Sequence, residues 1–119
     1  LITVGPRFVA ENLTKRYGFG SAIGTEHVVE NDIFSGKVGK VLTDKDKFLE
    51  FKKLASAFKI KLSDCVAVGD GVSDIPLFEA CGFSIALNAK SQTVIDKASI
   101  AITTNSLYDI IPYVLGTKT

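Results

Sequence analysis

The sequence predicts an α/β domain in which a parallel β-sheet is covered by helices on both faces. Short apolar runs of strand length alternate with segments whose apolar residues recur at helical spacing along the 119 residues. The runs at 65–68 and 83–87 are continuously apolar, which is typical of strands buried on both faces. A hydrophobic content of 46% and a charged content of 23% suit one globular domain. We therefore expect a three-layer, doubly wound sheet in a single domain over residues 1–119.

The first predicted elements are a short strand and an amphipathic helix. Residues 1–4 form an apolar run, and Gly5-Pro6 then makes a turn whose proline suits the first position of a helix. Gly18 follows the last periodic residue and predicts the helix end. Glu11 and Lys15, four residues apart, are expected on the outer face. The residues expected to face inward are Phe8, Val9, Leu13 and Tyr17.

The next segment, 19–42, has a different pattern and predicts a β-ribbon. Its short alternating pieces are interrupted at 30–32 and again at Ser35-Gly36, where residue types that favour turns cluster. We expect this ribbon to be an insertion in the domain.

The second half of the chain predicts regular strand and helix alternation. Asp44 is the expected N-cap of a helix near 46–59, the most strongly periodic segment of the sequence. Strands are predicted at 65–68, 83–87 and 99–103. Helices are predicted at about 73–80, after a Ser91 cap, and after a Ser106 cap.

Bulk properties exclude several classes of function. Fourteen Lys plus Arg against thirteen Asp plus Glu give a net charge of +1, so no global field favours nucleic acid or an anionic membrane. No apolar run reaches 18 residues, and the first residues lack the order of a signal peptide. Cys65 and Cys81 show neither metal-ligand spacing nor a disulfide framework, and we expect buried thiols. A cytoplasmic protein is expected.

Polar residues directly after strands are the candidates for chemistry, because ligands of open α/β sheets bind beyond the carboxyl ends of the strands. Two segments qualify, 3–5 and 69–74. In the second, glycines let the backbone turn tightly, and Asp70 and Asp74 place two carboxylates on one short loop. Mg²⁺ binds one or two protein carboxylates together with phosphate oxygens and water. An ordinary strand-to-helix turn capped by Ser73 or Asp74 is an equal alternative from spacing alone.

The residues around this loop resemble a known family. VAVGDGVSDIPLFEACGFSIAL resembles the fourth motif of the haloacid dehalogenase (HAD) superfamily. Lys47 stands at the distance from GDG at which phosphoserine phosphatases, the most similar branch, carry the lysine of their third motif. LITVGPRF resembles the second motif, with Thr3 as its hydroxyl residue. P-type ATPases share the GDG motif, but their lysine lies closer to it, so they rank second.

The resemblance implies an HAD-like Rossmannoid core and a magnesium-dependent phosphatase acting on a small phosphorylated metabolite. Asp70 would be a metal ligand, and Asp74 would orient Lys47 or a metal-bound water and act as a metal ligand. Lys47 would stabilise charge on the phosphoryl group. The phosphate would also be bound by the Thr3 hydroxyl and by the N–H group of Val4 or Gly5. Loop residues would be Gly69, Gly71 and Ser73, the last of which replaces the asparagine usual in the family.

One family motif is missing from the 119 residues. No DxDxT sequence follows any predicted strand, and in the family that motif supplies the nucleophilic aspartate on the central strand, between the Thr3 strand and the 65–68 strand. The resemblance therefore implies a core that is incomplete at its N-terminal side and lacks the principal cap. Such a chain would expose strand edges and would be expected to self-associate or to pair with another segment.

Three other classes remain as alternatives. A receiver-like regulatory domain has a similar length but needs acidic residues after its first strand, where this chain has Thr-Val-Gly-Pro. A dinucleotide-binding domain needs a third glycine that GDGVSD lacks. A catalytically incomplete HAD-like scaffold, acting as a binding subunit, would fit the missing nucleophile. For Arg7, at the start of the first helix, two interpretations remain open: contact with a bound phosphate, or an ordinary surface position.

Overall fold

The computed structural model describes residues 1–116, which divide into two compact units, Leu1–Phe51 and the segment from Lys52 onward. The elements in chain order are β1 (Ile2–Pro6), α1 (Arg7–Tyr17), β2 (Ile23–Thr25), β3 (His27–Glu30), β4 (Ile33–Val38), α2 (Asp44–Ala57), β5 (Val66–Gly69), α3 (Ile75–Ala80), β6 (Phe83–Leu87), α4 (Gln92–Lys97), β7 (Ile100–Ile102) and α5 (Ile111–Val114). Single 3₁₀ turns occupy Leu62–Asp64, Val72–Asp74 and Leu107–Ile110.

The first unit contains a parallel pair of strands that the sequence did not predict. β1 pairs with β2 in parallel, with Ile2 opposite Ile23 and Pro6 opposite Thr25. The expectation of one ribbon over 19–42 is therefore wrong for its first part, because β2 extends the β1 sheet instead. The buried Thr25 hydroxyl fixes this arrangement by donating to Val4 O (2.7 Å) and accepting from Leu42 N (3.0 Å).

A hairpin of β3 and β4 forms the rest of the predicted ribbon. Glu30 pairs with Ile33, so the turn has only two central residues, Asn31 and Asp32. Their φ angles of 52° and 60° are left-handed, as a type I′ turn requires. The second predicted interruption is not a turn, since Gly36 lies within β4 with φ 81°, and the β3–β4 register shifts between its pairs.

Helix α1 has its predicted end but not its predicted inward face. Gly18 is in the left-handed conformation (φ 75°) and donates to Thr14 O, as expected of a helix cap. Only Ala10 is fully buried, where α1 packs on β1 and β2. The expected core residues, Phe8, Val9, Leu13 and Tyr17, are between 38% and 65% exposed. Phe8 contacts His27 of β3 and Phe34 of β4, with ring centroids 5.8 and 5.1 Å apart, but all four side chains stay largely exposed, so the predicted inward face is wrong for residues 1–116.

Helix α2 begins two residues earlier than predicted. Asp44 is its first residue rather than its cap. Thr43 caps the helix instead, because its hydroxyl accepts from Asp46 N (3.3 Å) while the Asp46 carboxylate accepts from Thr43 N (3.1 Å). This reciprocal pair is a capping box with aspartate in the place of glutamate.

The second unit is built on a parallel sheet of three strands in the order β5-β6-β7. Val66 lies opposite Phe83 and Gly69 opposite Ala86, while Ile85 lies opposite Ile100. The predicted strands at 65–68, 83–87 and 99–103 are confirmed within one residue at each end. Ser106 caps the final helical segment through Tyr108 N, as predicted, whereas Ser91 occupies the cap position of α4 without a side-chain capping bond. The core includes Leu77, Phe78, Ile85, Ala86 and Val94.

The predicted α/β architecture of parallel strands and helices is confirmed. The described parallel strands lie in two separate sheets, β1-β2 and β5-β6-β7, rather than in one. Within residues 1–116, β1 and β5 each pair along one edge only. A single domain over 1–119 stays a prediction. None of the described helices combines the length and the apolar character needed to cross a bilayer.

Candidate active site

The loop that follows β5 is organised by the side chain of Asp74. This residue is only 6% exposed, and its Oδ2 accepts hydrogen bonds from Asp70 N (3.0 Å) and Gly71 N (3.1 Å). The 3₁₀ turn Val72–Asp74, with Asp74 N donating to Gly71 O, brings the carboxylate back over the loop. Hydrogen bonds to a charged acceptor are stronger than neutral ones. Asp74 therefore fixes the backbone of the loop from inside.

Position 69 must be glycine, because the Asp74 side chain leaves no space there for a Cβ atom. A Cβ at Gly69 would overlap the Oδ2 of Asp74 and lie 2.8 Å from its Cβ. At Gly71 the nearest atom to such a Cβ is the same oxygen, at an ordinary contact distance of 3.9 Å. The two glycines of the GDG sequence thus have different roles: the first makes room for Asp74, and the second is not sterically required.

Asp70 is the exposed carboxylate of the loop. It follows directly after β5, at the carboxyl end of the sheet, where a ligand of an α/β domain is expected. Within residues 1–116 its side chain forms no hydrogen bond or ion pair, and only its backbone N–H is used, toward Asp74. The described residues contain no cluster of three or more His, Cys, Asp or Glu side chains able to hold a metal by themselves. A cation at Asp70 would therefore complete its shell with water and ligand oxygens.

The same geometry argues against an anion site in this loop. A Gly-rich loop that binds phosphate directs its backbone N–H groups at the ligand. Here the N–H groups of Asp70 and Gly71 point at Asp74 instead. The dinucleotide-binding alternative is therefore not supported. Ser73 lies in the 3₁₀ turn of the same loop and is half-buried.

The predicted phosphate-binding segment lies in the first unit, on β1. The half-buried Thr3 Oγ1 accepts a hydrogen bond from Gly5 N (3.0 Å), so this N–H is engaged within the segment. The Thr3 hydroxyl still has its own proton to donate. Val4 is exposed, and its carbonyl accepts the Thr25 hydroxyl described above.

Lys47 lies in the first turn of α2 and is only 9% exposed. Its backbone N–H donates to Thr43 O (2.9 Å), which makes it part of the capped helix start. Lysine is rarely buried to this extent unless its charge is compensated. Burial distinguishes Lys47 from the solvated lysines that predominate in this sequence.

The structure brings together Asp70, Asp74, Gly69, Gly71 and Ser73 in one loop of the second unit. Thr3, Val4, Gly5 and Lys47 belong to the first unit. The family resemblance predicts that the residues of both units act on one ligand, and this stays a prediction.

Sequence reasoning missed Gly24, which shapes the first segment. A Cβ at Gly24 would lie 2.7 Å from Arg7 Cα and 3.0 Å from Gly5 O, so β2 approaches the end of β1 at a glycine. An isolated glycine in a strand pattern is the signal of such an approach. Arg7, considered for phosphate binding, is instead paired with Glu11 (2.8 Å) and Glu26 (2.9 Å), and both carboxylates raise its pKa, Glu11 the more strongly. Glu11 and Lys15 are both exposed, as predicted.

Comparison with known proteins agrees with these features. A family model described as haloacid dehalogenase-like hydrolase matches residues 1–79. The phosphoserine phosphatase of Methanocaldococcus jannaschii is 31% identical over 115 residues, which cover 96% of this chain and 54% of that protein. The phosphoserine phosphatase of Lactococcus lactis is 37% identical over 83 residues, or 69% of this chain and 37% of that protein.

Solved structures give the same result. A phospho-aspartyl intermediate analogue of phosphoserine phosphatase superposes with a TM-score of 0.83 at 32% identity, covering 95% of this chain and 54% of the other. An apo form of phosphoserine phosphatase gives a TM-score of 0.84 at 31% identity, with 95% and 56% covered. The chain thus spans about half the length of these relatives. The family match, the fold and the GDG loop together show that this chain belongs to the haloacid dehalogenase-like hydrolases, in a branch similar to phosphoserine phosphatases.

Proposed function

We propose that this chain provides the metal-binding and phosphate-binding half of a Mg²⁺-dependent phosphatase that hydrolyses a small phosphomonoester similar to phosphoserine. The observation that carries the proposal is the loop after β5. Asp74 fixes its backbone through two hydrogen bonds, and Asp70 is left exposed with no partner for its carboxylate within residues 1–116. A cytoplasmic location, expected from the sequence, stays a prediction.

The residues of this loop fit a hard cation. Oxygen ligands are those that Mg²⁺ prefers, and it commonly takes one or two carboxylates and keeps several waters. Asp70 supplies an available carboxylate at the carboxyl end of β5. Asp74 would support it mainly by fixing the loop, since its Oδ2 already accepts two backbone N–H groups. When bound, Mg²⁺ would polarise a phosphoryl oxygen and offset the charge of the phosphate.

The residues of the first unit would bind the phosphoryl group. Thr3 would donate its hydroxyl proton to a phosphate oxygen, beside the backbone of Val4 and Gly5. Lys47 would offset negative charge on the phosphoryl oxygens. Two unit charges 4 Å apart interact by about 4 kcal/mol at an effective dielectric near 20, so a single buried ammonium can contribute substantially to the rate.

The covalent step needs a carboxylate nucleophile, which we place in a segment other than these 119 residues. Attack of that carboxylate on phosphorus would form an aspartyl phosphate and release the alcohol after it takes up one proton. Water would then attack the same phosphorus, break the acyl phosphate bond and regenerate the carboxylate with release of inorganic phosphate. Every later proposal about turnover depends on this segment being present.

The sheet edges support pairing with such a segment or with a second copy. In the described residues β1 and β5 each have one unpaired edge, and the apolar face of α1 leaves Phe8, Val9 and Leu13 partly exposed. Unpaired edges beside apolar surface favour association with another strand. Size-exclusion chromatography with light scattering on this chain should therefore detect a dimer or aggregate, and a strictly monomeric chain would contradict pairing with a second copy.

The phosphatase proposal is tested with the full-length protein and two matched variants. Phosphate release from phosphoserine should require Mg²⁺, stop on addition of EDTA, and fall at least 100-fold in Asp70→Asn. Asp64→Asn, which neutralises an exposed carboxylate at the opposite end of β5, should keep the activity of the parent. Full activity of Asp70→Asn, or activity in EDTA, would refute the assignment of the metal site.

A catalytically incomplete scaffold is the second candidate, because no DxDxT motif occurs in the sequence. This function predicts Mn²⁺ binding, measured by electron paramagnetic resonance, that is lost in Asp70→Asn although no substrate turns over. Turnover by the full-length protein would exclude it.

A further inference from the structure

The carboxyl end of the β5-β6-β7 sheet carries an uneven distribution of charge. The loop after β5 contains Asp70 and Asp74, and the segment 103–106 after β7 contains no charged residue. The loop after β6, at 88–91, contains Lys90. In these three segments Lys90 is thus the only cationic side chain, at the end of the sheet where an anionic substrate would have to bind.

The strand register places Lys90 beside the Asp70 loop. β5 and β6 are parallel, and Gly69 at the end of β5 lies opposite Ala86. Both chains therefore leave the sheet at the same end, on neighbouring strands about 5 Å apart. Lys90 lies four residues beyond Ala86 and carries a flexible four-carbon stem. The loop that carries Lys90 therefore neighbours the Asp70 loop at the same end of the sheet.

The loop that carries Lys90 is fixed by Asn88. The backbone N–H of Asn88 donates to Ile102 O (2.8 Å), and its side chain forms two hydrogen bonds with the backbone of Thr104 (2.9 and 3.0 Å). Its φ of 52° is left-handed, which turns the chain sharply at this point. Three hydrogen bonds to Ile102 and Thr104 therefore fix the start of the loop that carries Lys90.

The charge of Lys90 is not used within the described protein. The residue is exposed, and within residues 1–116 it forms no ion pair. Lys97, on the helix that follows, instead pairs with Glu79 at 3.0 Å. A lysine on a fixed loop, without a carboxylate partner and beside a candidate substrate site, is available to an anionic ligand.

We propose that Lys90 is a specificity-determining residue that binds a carboxylate on the alcohol portion of the substrate. The proposal rests on the proposed phosphatase function and narrows its substrates to phosphorylated hydroxy acids. In the proposed function the transferring phosphoryl group would bind next to Asp70, on the loop after β5, whereas Lys90 lies on the loop after the neighbouring strand β6. A carboxylate a few bonds away from phosphorus would reach that lateral position.

Two substrates that differ only in a carboxylate test this role. Phosphoserine carries the group, and phosphoethanolamine lacks it. In the full-length protein, Lys90→Met should lower kcat/KM for phosphoserine about 10-fold, mainly through KM, and change that for phosphoethanolamine less than twofold. Lys61→Met is the matched control, because Lys61 is also exposed and unpaired in residues 1–116 but precedes β5 at the opposite end of the sheet. It should leave both values unchanged.

A binding measurement separates failure of this proposal from failure of the phosphatase function. If the wild-type protein does not hydrolyse either compound, the phosphatase function is wrong, and calorimetric dissociation constants for both compounds in Mg²⁺ decide the role of Lys90. The wild type should then prefer phosphoserine, and Lys90→Met should lose that preference. Equal affinities in the wild type, an unchanged preference in Lys90→Met, or an equal loss for both compounds would overturn the proposal. The last result would mean that Lys90 contacts the phosphate itself.

Discussion

A single methyl group at Gly69 should disrupt the loop after β5. In Gly69→Ala the new Cβ would overlap Asp74, whose Oδ2 accepts from Asp70 N and Gly71 N. The side chain of Asp74 must then move and lose both hydrogen bonds. Each hydrogen bond to a charged group contributes about 1.5–3 kcal/mol. Because water can replace part of this interaction in a half-exposed loop, we expect a net loss of about 3 kcal/mol.

Thermal unfolding followed by circular dichroism measures this effect. For a chain of this size a loss of about 3 kcal/mol corresponds to a decrease in Tm of roughly 10 °C. Gly71→Ala is the matched control, since its Cβ would be 3.9 Å from the nearest atom and its φ of −122° suits alanine. It should change Tm by less than about 2 °C. If the two variants melt at the same temperature, the steric role of Gly69 is wrong.

Two further predictions concern the interior of each unit. Thr25→Val should lower the free energy of unfolding by about 1–3 kcal/mol in urea denaturation, because it leaves the buried N–H of Leu42 unpaired; a loss below 0.5 kcal/mol would contradict the bridging role of this hydroxyl. Burial raises the pKa of the Cys81 thiol to about 11, so at pH 8 it has roughly 100-fold less thiolate than an ordinary cysteine and should react correspondingly slowly with iodoacetamide. The rate should increase about tenfold per pH unit up to pH 10, and a rate that levels off near pH 9 would show an ordinary pKa.

The second half of the fold could be predicted closely because its signals are local. Continuous apolar runs identify β5 and β6, and a glycine or a small polar residue bounds each of them. Ser106 could be predicted as a cap because a capping hydrogen bond joins residues that are at most three positions apart in the sequence. The same holds for Asn31-Asp32, whose residue types tolerate the left-handed conformation that the hairpin turn requires.

The first half was predicted less well for two physical reasons. β2 has only three residues and includes Gly24, so it has too little alternation to be recognised as a strand. The apolar periodicity of α1 predicts an amphipathic helix but does not specify what covers its apolar face. Within residues 1–116 the β3–β4 hairpin contacts Phe8 through His27 and Phe34, while Val9, Leu13 and Tyr17 stay exposed.

For the candidate site, the sequence predicted which residues lie on the loop after β5 but not the hydrogen bonds that Asp74 forms there. From spacing alone, Asp70 and Asp74 were two carboxylates four positions apart, and only the family resemblance gave them different roles. Their difference arises from the 3₁₀ turn, which folds Asp74 back onto backbone N–H groups and leaves Asp70 exposed. Hydrogen bonds of this kind depend on three-dimensional geometry that spacing alone does not specify.

The hydrogen bonds of Asp74 also have a thermodynamic consequence for ligand binding. Fixing the backbone of one residue costs roughly 1–2 kcal/mol in conformational entropy. Because Asp70 and Gly71 are already immobilised when the chain folds, a cation that reaches Asp70 does not have to order them. The affinity of the loop for a cation would then be governed by the number and charge of its oxygen ligands, and folding itself would already have met the entropic cost of shaping the site.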